Sequence, residues 1–114
     1  MADGVMVRRV YDDLRGHRGE YRVLVDRLWP RGVRKDQLRI DEWAKSLAPS
    51  TELRRWYGHD PSRFDEFRRR YVKELSSADP RALRAHNATL VLLTATRDVE
   101  HSGAAVLAEY LRRK

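Results

Sequence analysis

The 114 residues include no cysteine. That excludes disulfides, thiolate-held zinc or iron–sulfur sites and a cysteine nucleophile, and it suits a reducing compartment. Long hydrophobic runs are missing as well. The strongest, Leu90-Val91-Leu92-Leu93, falls far short of the ~20 apolar residues of a membrane span. The first residues, Met1-Ala2-Asp3-Gly4, lack the basic and then apolar regions of a secretory signal, so a cytoplasmic protein without membrane association is expected. Proline is sparse and dispersed, at Pro30, Pro49, Pro61 and Pro80, and neither a Gly/Ser-rich linker nor an internal repeat divides the chain. At this length one domain spanning 1–114 is the expectation, since domains most often run to about 100–150 residues. Acidic residues are outnumbered, 17 against 24 Lys plus Arg, giving a formal charge of +7. A hydrophobic fraction of 41% with three Trp, five Tyr and two Phe nevertheless argues for a folded core.

Three segments read as strands. Val5 to Tyr11 and Tyr21 to Leu28 are rich in β-branched and aromatic residues and flank a turn-prone stretch holding Gly16 and Gly19. Thr89 to Thr94 is continuously apolar at its centre, the pattern of a strand buried on both faces. Between the second and third strands the signals are helical. Asp41 can cap a helix through Trp43 to Leu47, and Ser50 can cap another, Leu53 to Tyr57, closed by Gly58. Asp60-Pro61 opens the longest helix, on which Phe64, Phe67, Tyr71 and Leu75 form one apolar stripe. Asp79-Pro80 starts a short helix through Leu83. Ser102 caps a last helix that buries Val106, Leu107, Tyr110 and Leu111 and runs nearly to Lys114. Strand, helical crossover and buried strand make a βαβ unit. The expected class is α/β, a short and mostly parallel sheet with helices packed around it.

Ligands of open α/β sheets bind beyond the carboxyl ends of the strands. Two loops leave such ends, Asp26-Arg27-Leu28-Trp29-Pro30-Arg31-Gly32 and Ala95-Thr96-Arg97-Asp98-Val99-Glu100-His101-Ser102.

At these loops the sequence becomes recognisable. The string Val25-Asp26-Arg27-Leu28-Trp29-Pro30-Arg31-Gly32, with Lys35, Trp43, Ala48-Pro49-Ser50, Leu53-Arg54, His59-Asp60, Phe67-Arg68, Tyr71 and Glu74-Leu75, resembles the domain-of-unknown-function 488 family in its YeaO-like branch. The resemblance spans most of the chain and implies a small bacterial cytosolic α/β domain, with no activity attached. One segment departs from it. Where the branch tends to place Asn after the His of its Asp-x-x-His motif, this chain follows Asp98 and His101 with Ser102-Gly103-Ala104.

Read from the residues, Asp26 ends a hydrophobic strand and can serve as a general base or orient an amine; an ion pair with Arg27 or Arg31 that merely holds the loop is the competing reading. Arg31, Arg34 and Lys35 surround Gly32, where a backbone open to close approach is flanked by cations. The lone glycine there is no P-loop or dinucleotide fingerprint. Thr94, Thr96, Arg97, Asp98 and Ser102 line a strand-to-helix passage that favours an anion. His101 arrives at the same place and can exchange protons with Asp26 near neutral pH, or simply fix its loop. Trp29 either walls a ligand pocket or covers the end of the sheet. His59 reads as a loop residue before the Asp60 cap, while His17 and His86 have no supporting neighbours. Dispersed His residues give no metal-ligand spacing, and neither a metal nor a cofactor is expected.

Two functions follow from this reading. The first is binding of a small anionic, phosphate-bearing ligand between the two loops, with acid–base or hydrolytic chemistry open and Arg27, Arg31 and Arg97 holding negative charge. The second is a nucleic-acid-associated or partner-binding module that uses the Arg-rich helix surface of Arg63, Arg68, Arg69 and Arg70. Nothing in the sequence sets an oligomeric state.

Overall fold

The computed structural model describes residues 4–85 and 87–113; Met1 to Asp3, His86 and Lys114 lie outside the described residues. Four strands form one sheet: β1 (Val5–Arg9), β2 (Glu20–Leu24), β3 (Glu42–Trp43) and β4 (Thr89–Thr94). Their order is β1-β4-β2-β3, and every neighbouring pair is parallel. The α/β class is therefore observed. β4 is central, as its apolar run requires: Val5 pairs with Leu90 on one side and Tyr21 with Leu90 on the other.

Alternate residues of these strands feed two separate cores. Val23, Leu90 and Leu92 point into the larger one, together with Leu53 and Tyr57 of α1 (Thr51–Tyr57), the stripe Phe64, Phe67, Tyr71 and Leu75 of α2 (Phe64–Ala78), and Val106, Leu107 and Leu111 of α3 (Gly103–Arg112). Leu24, Val91 and Leu93 point the other way, onto Val10, Leu38, Trp29, Val33, Ile40 and Trp43. All three α-helices thus lie on one face, and the loops after β1 and β2 cover the other.

Caps set the helix starts as the sequence dictates. The Ser50 side chain accepts from the Leu53 N–H at 3.2 Å, and the Ser102 side chain from the Ala105 N–H at 3.1 Å. Asp60 caps a short 3₁₀ turn, Pro61–Arg63, that leads straight into α2. Two sequence expectations need correction. β1 stops at Arg9 and the chain turns through a 3₁₀ segment, Val10–Asp12, while β2 stops at Leu24, four residues before Leu28. Trp43 is not helical: Glu42–Trp43 pairs with Val23 and Leu24 as an edge strand, and only Lys45–Leu47 forms a 3₁₀ turn. The cause is tertiary, since the Trp43 indole N–H donates to the Asp26 carbonyl at 2.7 Å and its ring meets Trp29 edge-on at 5.4 Å.

Candidate functional site

A cleft of about 480 Å³ opens at the carboxyl end of the sheet. The segment after β2 gives it Val25, Asp26, Arg27 and Leu28; the loop after β4 gives Ala95, Thr96, Arg97 and Asp98. The start of α3 contributes Ser102, Gly103 and Ala104, and α1 with its C-terminal turn contributes Arg54, Tyr57 and His59. Both loops singled out by the sequence therefore reach one place.

Asp26 ties the two strand ends together. One carboxylate oxygen accepts from the Thr94 hydroxyl at 2.7 Å, the other from the Ala95 N–H at 2.7 Å. Burial pushes this carboxyl above the ordinary Asp value, opposed by the Ala95 and Thr94 hydrogen bonds and by the charge of His59. Neither Arg27 nor Arg31 pairs with it among the described residues. The loop ion pair is replaced by a hydrogen-bonded strand tether. Arg27 instead donates to the carbonyls of Pro49 and Ala48, and so fixes the chain entering α1.

The cleft walls are largely apolar. Phe67 stacks on Tyr57 with ring centroids 4.1 Å apart and planes 15° apart, and the Tyr57 hydroxyl donates to the His101 carbonyl at 2.6 Å. Gly103 lets α3 start close to this wall: a Cβ there would sit 3.1 Å from Pro49 Cγ. At the Ser102-Gly103 departure the helix is thus capped by Ser102 and Gly103 makes room for the close approach.

Two arginines besides Arg27, and His59, line the opening. Arg97 is exposed and Arg54 is half-buried; neither makes an ion pair among the described residues, and the Nε of Arg54 is buried without a hydrogen-bond partner. His59 reaches the lining because Gly58 and His59 both adopt left-handed backbone, φ 55° and 57°. His101 lies behind the wall, with Nδ1 2.8 Å from Asp98 and its ring edge-on to Phe64 at 5.0 Å.

Other candidates from the sequence sit elsewhere. Trp29 packs on the opposite core and donates to the Val33 carbonyl at 2.7 Å, so it covers the sheet. Arg31, Gly32 and Lys35 are exposed on the loop beyond it, outside the cleft lining. Arg54, Tyr57 and His59 are not among the site residues read from the sequence; Arg54 and His59 figure there only in the family-like strings Leu53-Arg54 and His59-Asp60, and Gly58 marks the turn that closes α1. Among the described residues no group of His, Asp and Glu is placed to hold a metal ion, and no helix is long and apolar enough to cross a membrane.

Comparison with known proteins fits this architecture to a family. No solved structure matches the chain. Uncharacterized protein Rv3073c of Mycobacterium tuberculosis is 53% identical over 110 residues, covering 94% of this chain and 92% of that protein. Uncharacterized protein YeaO of Escherichia coli is 39% identical over 112 residues, covering 95% and 96%. A family profile described as the inactive DUF488-N3 subclade matches residues 4–114. Across nearly its whole length, then, the chain belongs to the DUF488 family and is YeaO-like.

Proposed function

We propose that this protein is a binding domain rather than a catalyst, and that its cleft takes a small anionic, phosphate-bearing ligand. The observation that carries the reading is that two arginines lining the cleft, Arg54 and Arg97, make no ion pair among the described residues. Among the described residues the acids of the cleft form no ion pair with these arginines. Both oxygens of Asp26 are engaged by Thr94 and Ala95, and Asp98 is held by His101. The first turn of α3 adds backbone N–H groups and the positive end of a helix dipole, a further preference for negative charge. Val25, Ala48, Phe67 and Ala104 supply an apolar floor for an uncharged part of the ligand.

Proton transfer between Asp26 and His101 has less support. Asp26 works as a tether, and the His101 ring is turned to Asp98 and Phe64. The family profile's description as inactive agrees with binding alone. Nucleic-acid binding through α2 is also less supported, because Asp65, Glu66 and Glu74 share that helix with its arginines and offset their charge. The reading carries the cytoplasm as the place of action.

Inorganic phosphate and a phosphate monoester should raise the melting temperature, because a ligand that binds only the folded state stabilises it by mass action, by about 2.7 kcal/mol at a hundredfold excess over Kd. The pair Arg54→Ala with Arg97→Ala should remove that rise. A double variant that responds to phosphate like the parent would end the reading.

A further inference from the structure

The cations that do not reach the cleft form a surface of their own. The loop after β1 and the loop beyond Trp29 are zipped together. The Arg39 N–H donates to the Leu14 carbonyl at 2.9 Å, Arg39 Nε to the Arg15 carbonyl at 2.9 Å, Arg39 Nη2 to the His17 carbonyl at 3.2 Å and the Tyr11 hydroxyl to the Arg31 carbonyl at 2.7 Å. Within 14–18 and 31–39 stand six cations, Arg15, Arg18, Arg31, Arg34, Lys35 and Arg39, and one acid, Asp36. That is a net +5 on a chain whose whole charge is +7.

Ion pairing scarcely dilutes this charge. Arg34 meets Asp36 at 3.1 Å with both side chains about three-quarters exposed, and Arg39 lies 3.7 Å from Asp41. Exposed pairs of that kind contribute little. Arg18, Arg31 and Lys35 are exposed and make no ion pair among the described residues. The flanking Asp13 is spent on Arg8 and Arg22, while the exposed Asp12 beside the patch makes no ion pair among the described residues.

From this surface we infer that the two zipped loops bind the phosphate backbone of a nucleic-acid duplex, independently of its sequence. The apolar side chains of both loops, Leu14, Val33, Leu38 and Ile40, face the sheet, so the patch lacks the apolar anchors on which protein interfaces depend. Trp29 is packed against Trp43, and Tyr11 at the margin is 39% exposed with the Arg9 guanidinium 4.8 Å over its ring, a single aromatic rather than the row of platforms on which single strands stack. What faces outward is guanidinium on a fixed backbone, suited to rows of phosphates.

Fluorescence anisotropy with a short random-sequence DNA duplex, and an RNA duplex of the same length, tests this. With about four phosphates neutralised, log K should fall with log salt at a slope of about −3.6, a loss of roughly 150-fold between 50 and 200 mM salt. The triple change Arg18→Ala, Arg31→Ala and Lys35→Ala, three exposed residues whose side chains make no hydrogen bond among the described residues, should make the slope shallower by about 2.7 with an unchanged melting temperature. Arg69→Ala with Arg70→Ala on α2 should leave both affinity and slope in place. The RNA arm tells which duplex is preferred. The inference is overturned if neither duplex binds at low salt, if the triple variant keeps the parent slope, if the α2 variant abolishes binding, or if a single strand or polyglutamate binds more tightly than either duplex.

Discussion

Arg22 is fully buried, and its position explains why one of the two glycines in the turn before β2, Gly16, has no room for a side chain. Its guanidinium donates to the carbonyls of Arg39 and Asp13 at 2.6 and 2.7 Å and lies 3.3 Å from the Asp13 carboxylate. Gly16 and Gly19 both have left-handed backbone, φ 69° and 81°, but they differ in surroundings. A Cβ on Gly16 would fall 2.3 Å from Arg22 Nη1 and 2.8 Å from Cζ, whereas one on Gly19 would meet nothing within 4 Å. Gly19→Ala should therefore cost only the left-handed strain, about 1–2 kcal/mol. Gly16→Ala should cost clearly more, because it must displace a buried cation from its partners. Urea titrations of the two variants check this; equal losses would mean that the Arg22 site has slack. At Asp26 the expectation concerns pH. Its folded-state pKa is raised above the ordinary 3.8 by burial, against the pull of Ala95, Thr94 and His59. The folded protein therefore holds this proton more tightly than the unfolded chain, and the ionised carboxylate subtracts stability at pH values above the folded pKa. That loss is recovered as pH falls from the folded value toward 3.8. Asp13 and Glu20 titrate the other way: burial raises them, but Arg8, Arg22 and backbone N–H groups hold both below their usual values, so their stabilisation fades in acid. Asp26→Asn leaves those two untouched. The stability of the parent relative to this variant should accordingly grow as pH drops through the window just above 3.8, and a difference that shrinks there would contradict the assigned cause.

Among the elements, α1 is the one on which the cleft depends most. Seven residues cannot hold a helix in water unaided, so its start must be fixed from outside. The Ser50 N–H and hydroxyl donate to the two oxygens of Glu74 on α2 at 2.9 and 2.6 Å, while the same hydroxyl accepts from Leu53. Ser50→Ala should cost about 1–2 kcal/mol, as lost N-caps do. It should also blunt the phosphate response, because Arg54, Tyr57 and His59 ride on this helix and its closing turn. A full phosphate response in a destabilised Ser50→Ala protein would separate the cap from the site. Elements whose signals are local were legible in the sequence: the Thr89–Thr94 strand, the Ser50, Asp60 and Ser102 caps and the α2 stripe all stand where residue types place them. β3 was not legible, because two residues carry no period and their pairing is decided by the Trp43 indole bond to Asp26. The cleft was half legible. Strand-end loops announce themselves, whereas Arg54 and His59 enter through the packing of α1, which no spacing encodes.

At the scale of the molecule, the sheet divides the charge. The cleft opens at its carboxyl end beside the helical core, and the zipped loops lie over the opposite core, so the sheet stands between them. Sites with no shared partners act additively within ~0.5 kcal/mol. Arg54→Ala with Arg97→Ala should consequently change duplex affinity by less than about twofold, and the loop triple variant should leave the phosphate-induced rise in melting temperature intact. One segment argues for looking closely. Residues 26–30 run from the cleft, where Asp26, Arg27 and Leu28 line it, directly to Trp29 on the far face, and the Asp26 carbonyl accepts from Trp43 of that same core. If this segment moves as a unit, phosphate in the cleft would shift the loop that carries Arg31 and Lys35. A double-mutant cycle between the two sets decides the matter. A coupling near zero identifies two separate anion sites, and a tenfold or larger effect of the cleft variants on duplex affinity would make them one surface joined through 26–30.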